Sequence, residues 1–205
     1  QFLERNFGFV QVVSWNRFEI ALAYTISLFI VSDFSRYLLH YAMHKVPFLW
    51  RVHQFHHSAN RLNPLTFYRV HPIENFLFGL RYVLVMGIVS GIYLYFFKAS
   101  VHLLDIMGVN LFVFIFNLLG ANLRHSHVAL SFGYFEKVFV SPAMHQIHHS
   151  KKADMHHKNF GGILSIWDRL FKTYMPYQKQ KLIFGLPKKQ APFLEQLLLI
   201  KGKTV

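Results

Sequence analysis

The chain has no cysteine among its 205 residues. This absence excludes disulfides, thiolate zinc sites, iron–sulfur clusters and a cysteine nucleophile. Acidic residues are also scarce, with nine Asp and Glu against 22 Lys and Arg. No glutamate lies three residues before a histidine, so the glutamate-rich ligand pattern of soluble di-iron helical bundles is missing. A metal bound here must take nitrogen or oxygen ligands, and an all-histidine ligand set is favoured over a carboxylate-rich one.

Several cofactor and partner motifs are absent as well. The sequence contains no glycine-rich dinucleotide fingerprint, P-loop or haem-attachment CxxCH motif, so electrons for a redox reaction would have to come from a separate protein. The net charge of +13 would permit nucleic-acid binding, but the basic residues flank apolar stretches and form no groove-reading motif. Contact with anionic lipid headgroups is the simpler explanation, and no nucleic-acid partner is expected.

Histidine, in contrast, is abundant and clustered. All fourteen histidines except His71 and His102 lie in five short clusters, HYAMH, HQFHH, HSH, HQIHH and HH. At about 100° per residue, the three imidazoles of an HxxHH sequence share one face of a helix. Because neutral imidazole is the commonest protein ligand for transition metals, the clusters together predict a metal site. For His71 and His102 alone, a structural role is favoured.

The helix that carries the first cluster also bears polar side chains on its histidine face. At about 100° per residue, Asp33 and Tyr37 share a stripe with His40 and His44. Since metal-bound imidazoles commonly donate their second N–H to a carboxylate or carbonyl, Asp33 and Tyr37 are expected to orient the histidines.

Long apolar stretches surround the clusters, in a chain that is 53% hydrophobic. Three of them approach the about 20 apolar residues that a membrane helix needs: residues 18–39, 76–97 and 103–119. Asn16 is expected to cap the first helix and Pro47 to end it, while Pro72 suits the first turn of the second. A short connection predicts that the second and third helices form a hairpin.

The order of the three predicted helices brings every histidine cluster to one membrane surface. The first helix ends at His44, the second leaves from His71 and the third returns at His125. Lys98 is the one basic residue of the far connection, so the positive-inside rule predicts a cytoplasmic site. We therefore expect an all-α, multi-pass membrane protein, one domain over residues 1–205, with a histidine-rich metal-binding helical domain at the cytoplasmic membrane surface. Bacterial inner membrane and endoplasmic reticulum both remain open, and further segments are expected upstream.

The motifs form an ordered series: D-x-x-x-Y-x-x-H-x-x-x-H (33–44), HQFHHS (53–58), RVHP (69–72), NLRHSH (122–127), HQIHHS (145–150), KNFG and WDRLF. This series resembles the fatty acid hydroxylase and sterol desaturase superfamily, from about Asp33 to Pro176. The resemblance implies a membrane-bound, non-haem di-iron enzyme that uses O2 and external electrons to hydroxylate or desaturate a fatty acyl chain, sterol or carotenoid. Its expected partners are the membrane, the lipid substrate and an electron-transfer protein.

The resemblance also implies the ligand set. By motif matching, two iron ions would be held by His40, His44, His53, His56, His57, His125, His145, His148, His149 and, less clearly, His156; zinc is an alternative metal in purified samples. His125 and His127 would diverge by about 200° on a helix, and His125 is favoured because its spacing fits the pattern better.

Two other functions are considered. In a membrane metal transporter, histidines would line a path through the bilayer, but residues 73–101 contain none. A histidine-ligated zinc hydrolase would use the same ligands without oxygen chemistry. A requirement for oxygen would distinguish the oxygenase from the hydrolase, and metal uptake by vesicles would test the transporter.

Overall fold

The computed structural model describes residues 5, 6, 8, 15–97, 120, 122–186 and 193–199. These residues are mostly helical, and no strand occurs among them beyond two isolated β-bridges, Phe139 with Leu164 and Ser150 with Phe184. The predicted third helix (103–119), and with it the predicted hairpin, lies outside the described residues.

The first long helix, α1, runs over Arg17–Lys45. Its N-terminus is closed by a capping box, in which the Asn16 side chain accepts from the Glu19 N–H (3.0 Å) and the Glu19 carboxylate accepts from the Asn16 N–H (2.8 Å). Val46 is extended, and Pro47 opens the next helix, α2 (Pro47–His57). The predicted cap at Asn16 and the predicted stop before Pro47 are both confirmed.

The second long helix, α3 (Pro72–Phe97), runs antiparallel to α1 and begins at Pro72 as expected. The Tyr24 and Ser90 hydroxyls lie 2.9 Å apart near one end of the pair. Nearer the other end, the Arg81 guanidinium donates to the Ser32 carbonyl (2.7 Å). A small apolar core also joins the helices: Ile20, Tyr24, Leu28, Val85 and Val89.

Most of the remaining surface of these two helices is apolar and exposed. Their most apolar stretches have mean hydropathies of 1.4 and 1.8, yet only 22% and 11% of those stretches is buried. Both helices are long and apolar enough to cross a membrane, and they contain the predicted spans 18–39 and 76–97. Exposed side chains such as Phe18 (74%) and Ile88 (61%) form this outer surface.

The rest of the described chain consists of short helices and loops. Two 3₁₀ turns, three short helices and their connections make up this part: Pro64–Tyr68, Gly133–Lys137, α4 (Pro142–His148), α5 (Ile166–Leu170) and α6 (Phe193–Leu197). The Ser141 side chain caps α4 by accepting from the Met144 N–H (3.1 Å), as the Ser-Pro sequence predicts.

The NFGG turn, residues 159–162, closes against the end of α5. Asp168 accepts from the N–H groups of Phe160 (2.7 Å) and Gly161 (2.8 Å). A side chain at Gly161 would place its Cβ 2.6 Å from the Leu164 carbonyl oxygen. The turn therefore requires glycine at this position because backbone and carboxylate approach too closely for any larger residue.

Candidate metal centre

Nine buried or half-buried histidines gather into two groups. Within each group, one ring nitrogen per residue lies within 4.8 Å of the others. The first group contains five residues and the second four: His40, His44, His53, His57 and His148, and then His56, His125, His145 and His149. The two groups are adjacent, since the ring centroids of His57 and His149 are 4.5 Å apart.

Each HxxHH sequence supplies both groups. On α2, His53 and His57 join the first group while His56 joins the second. At the end of α4 the division is reversed, because the outer pair joins the second group and His148 joins the first. On a helix, residues i and i+4 differ by about 40° and residue i+3 lies on the other side of i, so one turn presents ligands to two neighbouring centres.

Backbone carbonyls fix the orientation of several rings. Three imidazoles direct Nδ1 at a carbonyl oxygen: His40 at Phe160 (2.8 Å), His56 at Arg69 (3.1 Å) and His148 at Lys158 (2.9 Å). Because a carbonyl only accepts, Nδ1 carries the proton and Nε2 keeps its lone pair. This is the arrangement by which proteins orient metal-binding histidines.

A carboxylate, in place of a backbone carbonyl, orients the ring of His53. The His53 Nδ1 atom lies 2.8 Å from Oε1 of Glu74, in the first turn of α3, and both side chains are buried. Glu74 was not predicted from the sequence, because it does not lie three residues before a histidine. It lies three residues after His71 and contacts a histidine on another helix. No short-range spacing identifies such a contact.

The distances between facing Nε2 atoms show that the two histidine groups suit a cation. His40 and His53 point their Nε2 atoms at each other across 3.2 Å, although their Nδ1 protons are donated elsewhere. In the second group, His125 Nε2 lies 3.0 Å from Nε2 of both His56 and His145. Opposed lone pairs repel unless a cation lies between them. Metal–nitrogen bonds of about 2.0–2.1 Å place neighbouring ligand nitrogens about 3 Å apart, so the residues fit a metal ion in each group.

Burial keeps these imidazoles in the form that binds metals. It lowers the pKa of His53 to about 3 and that of His56 to about 4, and it is the main cause that lowers the pKa of His148 well below 6.5. All three rings are therefore neutral at pH 7. Among the described residues, His148 Nε2 and both ring nitrogens of His44 are buried without a hydrogen-bond partner, as expected of atoms that bind an ion.

The remaining predicted or candidate histidines belong to neither of the two groups. His156 forms a third, more exposed group with His157 and His44, and its ring lies 5.0 Å from that of Trp50. His127 is exposed and belongs to none of the groups found in the described part of the chain. His71 is buried and accepts from the Ile73 N–H (3.1 Å), which agrees with a structural role at the start of α3.

The expectation that Asp33 and Tyr37 orient histidines directly is wrong. The Asp33 carboxylate accepts from the N–H groups of Ile163 (2.9 Å) and Leu164 (3.0 Å), and the Tyr37 hydroxyl lies 3.0 Å from Oγ1 of Thr173. The stripe was correct, but a loop of the distant C-terminal half fills the space beside it. Asp33 instead holds the loop that presents the Phe160 carbonyl to His40.

A cavity of about 210 Å³ adjoins both groups. Its walls combine histidines of each group with four aromatic or aliphatic side chains (Phe67, Tyr68, Val70 and Phe78) and three charged ones (Arg36, Glu74 and Arg124). A molecule in this cavity would contact histidines of both groups.

The motifs, the helices and the paired histidine groups agree with the comparison of the sequence with known families. Residues 25–173 match the fatty acid hydroxylase family. The chain belongs to this family. The match begins within α1, extends past α5 and includes both histidine groups, and it confirms the resemblance that the motifs indicated.

Several relatives of this fatty acid hydroxylase family member have names that describe a lipid substrate. Alkylglycerol monooxygenase of Homo sapiens is 30% identical over 161 residues, 78% of this chain and 32% of the relative. Ornithine lipid hydroxylase of Rhizobium tropici is 30% identical over 171 residues, 82% of this chain and 47% of the relative. A very-long-chain aldehyde decarbonylase of Oryza sativa is 27% identical, with 72% and 53% covered. The chain thus spans about a third of the alkylglycerol monooxygenase, and no solved structure matches it.

Proposed function

We propose that this chain is the catalytic part of a membrane-bound, non-haem di-iron oxidoreductase that hydroxylates a lipid with O2 and external electrons. The single observation that carries the proposal is the pair of adjacent groups of five and four histidines beside a cavity. The names of the related monooxygenase and hydroxylase support the oxygen and lipid chemistry.

The five histidines of the first group would hold one metal ion, and the four of the second group the other. Imidazole ligands suit iron, whereas zinc, which accepts the same ligands, has no redox chemistry. Bound iron would supply the oxidation of an unactivated C–H bond. In the overall reaction, one oxygen atom enters that bond and the other leaves as water, with two electrons and two protons taken from a separate donor.

In this reaction the residues of the chain would orient the histidines, position the substrate and limit the access of water. The carbonyls of Phe160, Arg69 and Lys158 keep the protons of their histidines on Nδ1, so that Nε2 stays free to bind metal. Glu74 does the same for His53. The cavity beside the histidines would position the substrate and limit the access of water.

The membrane brings the substrate to the site. We infer that α1 and α3 span the bilayer, since most of their apolar surface has no cover in the described part of the chain. The histidine groups lie at one end of this helix pair, where the C-terminal end of α1 meets the N-terminal end of α3. The positive-inside rule favours the cytoplasmic side for this end. A lipid would then enter the cavity from the bilayer.

Labelled oxygen provides the decisive test. The full protein, loaded with iron and supplied with a reductase system, is expected to release a lipid with one hydroxyl that carries ¹⁸O from ¹⁸O2. Metal analysis is expected to give two ions per chain. His148→Ala is expected to lose metal and turnover, whereas His127→Ala, at an exposed position, should retain both. A hydrolysis product that forms without oxygen would contradict the proposal and support a zinc hydrolase.

A further inference from the structure

We propose that the cavity beside the histidine groups binds the anionic end of a lipid, a carboxylate or a phosphate, through Arg36 and Arg124, and that the oxidised carbon lies close to that end. This inference rests on the proposed function and narrows its substrate class. The alternative is that the cavity takes the methyl end of the chain, with the headgroup far from the metals.

The first argument is the charge of the cavity wall. Arg124 is only 6% exposed, and both Arg36 and Arg124 line the cavity. Glu74, the acidic side chain of the same wall, has Oε1 engaged with His53. Asp33, one turn before Arg36, has its oxygens engaged with backbone N–H groups and the Trp167 indole. Within the part of the chain that the structure describes, no carboxylate lies within salt-bridge distance of either guanidinium.

Charges with this degree of burial are normally paired. A guanidinium removed from water without a carboxylate partner is costly, and an anion that enters with the ligand would remove that cost. A guanidinium group is not deprotonated in proteins at pH 7, so both side chains carry a positive charge. The cavity wall therefore presents two cations to a ligand.

The second argument is geometry. The guanidinium carbon of Arg36 lies 5.1 Å from the centroid of the Phe78 ring, a contact that holds the planar group in place. The guanidinium fork matches the two oxygens of a carboxylate or phosphate. Arg124 directly precedes His125, and both arginines line the same cavity as His125 and His145. The cations thus lie beside the second histidine group.

The third argument is size. The cavity of about 210 Å³ is smaller than the about 300–1,000 Å³ typical of ligand pockets, so it accepts one end of a lipid rather than the whole molecule. Phe67, Val70 and Phe78 provide an apolar wall for the first methylene groups behind the anion. A methyl end in this space would leave both guanidinium groups desolvated and without an anion.

Binding of defined lipids tests the inference without turnover. The iron-loaded full protein in neutral detergent, without oxygen or reductant, would be titrated with oleate, with oleoyl lysophosphatidate and with monooleoylglycerol. We expect oleate or the phosphate lipid to bind at least about tenfold more tightly than the neutral lipid, as charge-assisted hydrogen bonds allow. The stronger of the two shows which anion the site prefers.

Substitutions then connect the preference to the two arginines. Arg36→Gln and Arg124→Gln are expected to abolish this preference, so that each variant binds the anionic lipid no more tightly than monooleoylglycerol. Arg61→Gln, at an exposed position, is the matched control and should behave like the unaltered protein. Equal binding of neutral and anionic lipids by the unaltered protein would overturn the proposal, as would an equal loss in Arg61→Gln.

Two further comparisons cover a misfolded variant and separate this proposal from the proposed function. If Arg124→Gln fails to fold or to bind iron, Arg124→Lys keeps the charge without the planar fork, and Arg36→Lys does the same on α1. Unchanged binding of the anionic lipid by Arg36→Gln, together with unchanged binding by Arg124→Lys, would overturn the proposal. Arginine-dependent binding without any oxygen-dependent product would contradict the proposed function and leave the anion site standing. Undiminished binding and hydroxylation of the anionic lipid by Arg124→Gln would overturn the anion site and leave the proposed function standing.

Discussion

At the residue scale, the orientation of each imidazole depends on the atom that receives its second proton. His40, His56 and His148 donate to carbonyls, which no side-chain substitution removes directly. His53 differs because it depends on Glu74, a side chain from another helix. Among these four contacts in the described part of the chain, it is the one made by another side chain, so a substitution at Glu74 alters it directly.

The substitution Glu74→Gln tests this dependence. Glutamine keeps the size of the side chain but removes the charge that holds the proton on His53 Nδ1, and we expect metal affinity to fall about 10- to 100-fold. Metal titration in competition with a chelator measures the change. Asp154→Asn, at an exposed position, is the control and should have no effect. Unaltered affinity in Glu74→Gln would mean that the contact does not support the metal site.

At the scale of elements, the C-terminal loop holds the site together. Asp33 on α1 and Asp168 on α5 hold residues 160–164 by their backbone N–H groups. The carbonyl of Phe160, in this loop, receives the Nδ1 proton of His40. Loop, helix and histidine therefore form one unit, although they lie far apart in the sequence.

The substitution Gly161→Ala should disrupt that unit. A Cβ would lie 2.6 Å from the Leu164 carbonyl oxygen and 2.8 Å from the Asp168 carboxylate, so the loop must shift. We expect a loss of about 1–3 kcal/mol in the free energy of unfolding, the usual cost of overpacking, together with weaker metal binding. Gly87→Ala on α3 is the matched control, since a Cβ there meets nothing within 4 Å. Denaturant titration compares the two, and equal stability would show that the loop adapts freely.

At the scale of the whole molecule, the apolar outer surface of α1 and α3 points to a lipid environment rather than to water. In water, a contiguous exposed surface of this kind would promote aggregation. In a bilayer it is the stable arrangement, because the two helices satisfy their own backbone hydrogen bonds. The same substitution on this surface should thus have opposite effects in the two environments.

Ile88→Lys on α3 makes that comparison. Ile88 is 61% exposed, so lysine should be harmless or helpful in a soluble protein, whereas at the centre of a membrane helix it costs about 2.5–3.5 kcal/mol. We expect a lower yield of protein in the membrane fraction. Leu65→Lys, which alters an exposed residue (74%) of the Pro64–Tyr68 turn, should leave the yield unchanged. Full recovery of Ile88→Lys as soluble protein would contradict the membrane placement.

The sequence by itself determined the two long helices, their ends and the set of clustered histidines. These features depend on local signals: the Asn16 cap, the prolines at 47 and 72, hydrophobic runs, and a spacing that places imidazoles on one helix face. Ring geometry on one helix is fixed by the helical repeat, so HxxHH could be recognised without knowledge of the fold.

Only the tertiary structure decided how those histidines divide into groups of five and four. It also decided which carbonyl and carboxylate oxygens orient the imidazole rings. Glu74 reaches His53 from another helix, and the Asp33 carboxylate binds backbone groups about 130 residues away in sequence instead of a histidine. The two arginines of the cavity wall likewise come from distant segments. Such contacts depend on how separate elements pack, and no periodicity within one element encodes them.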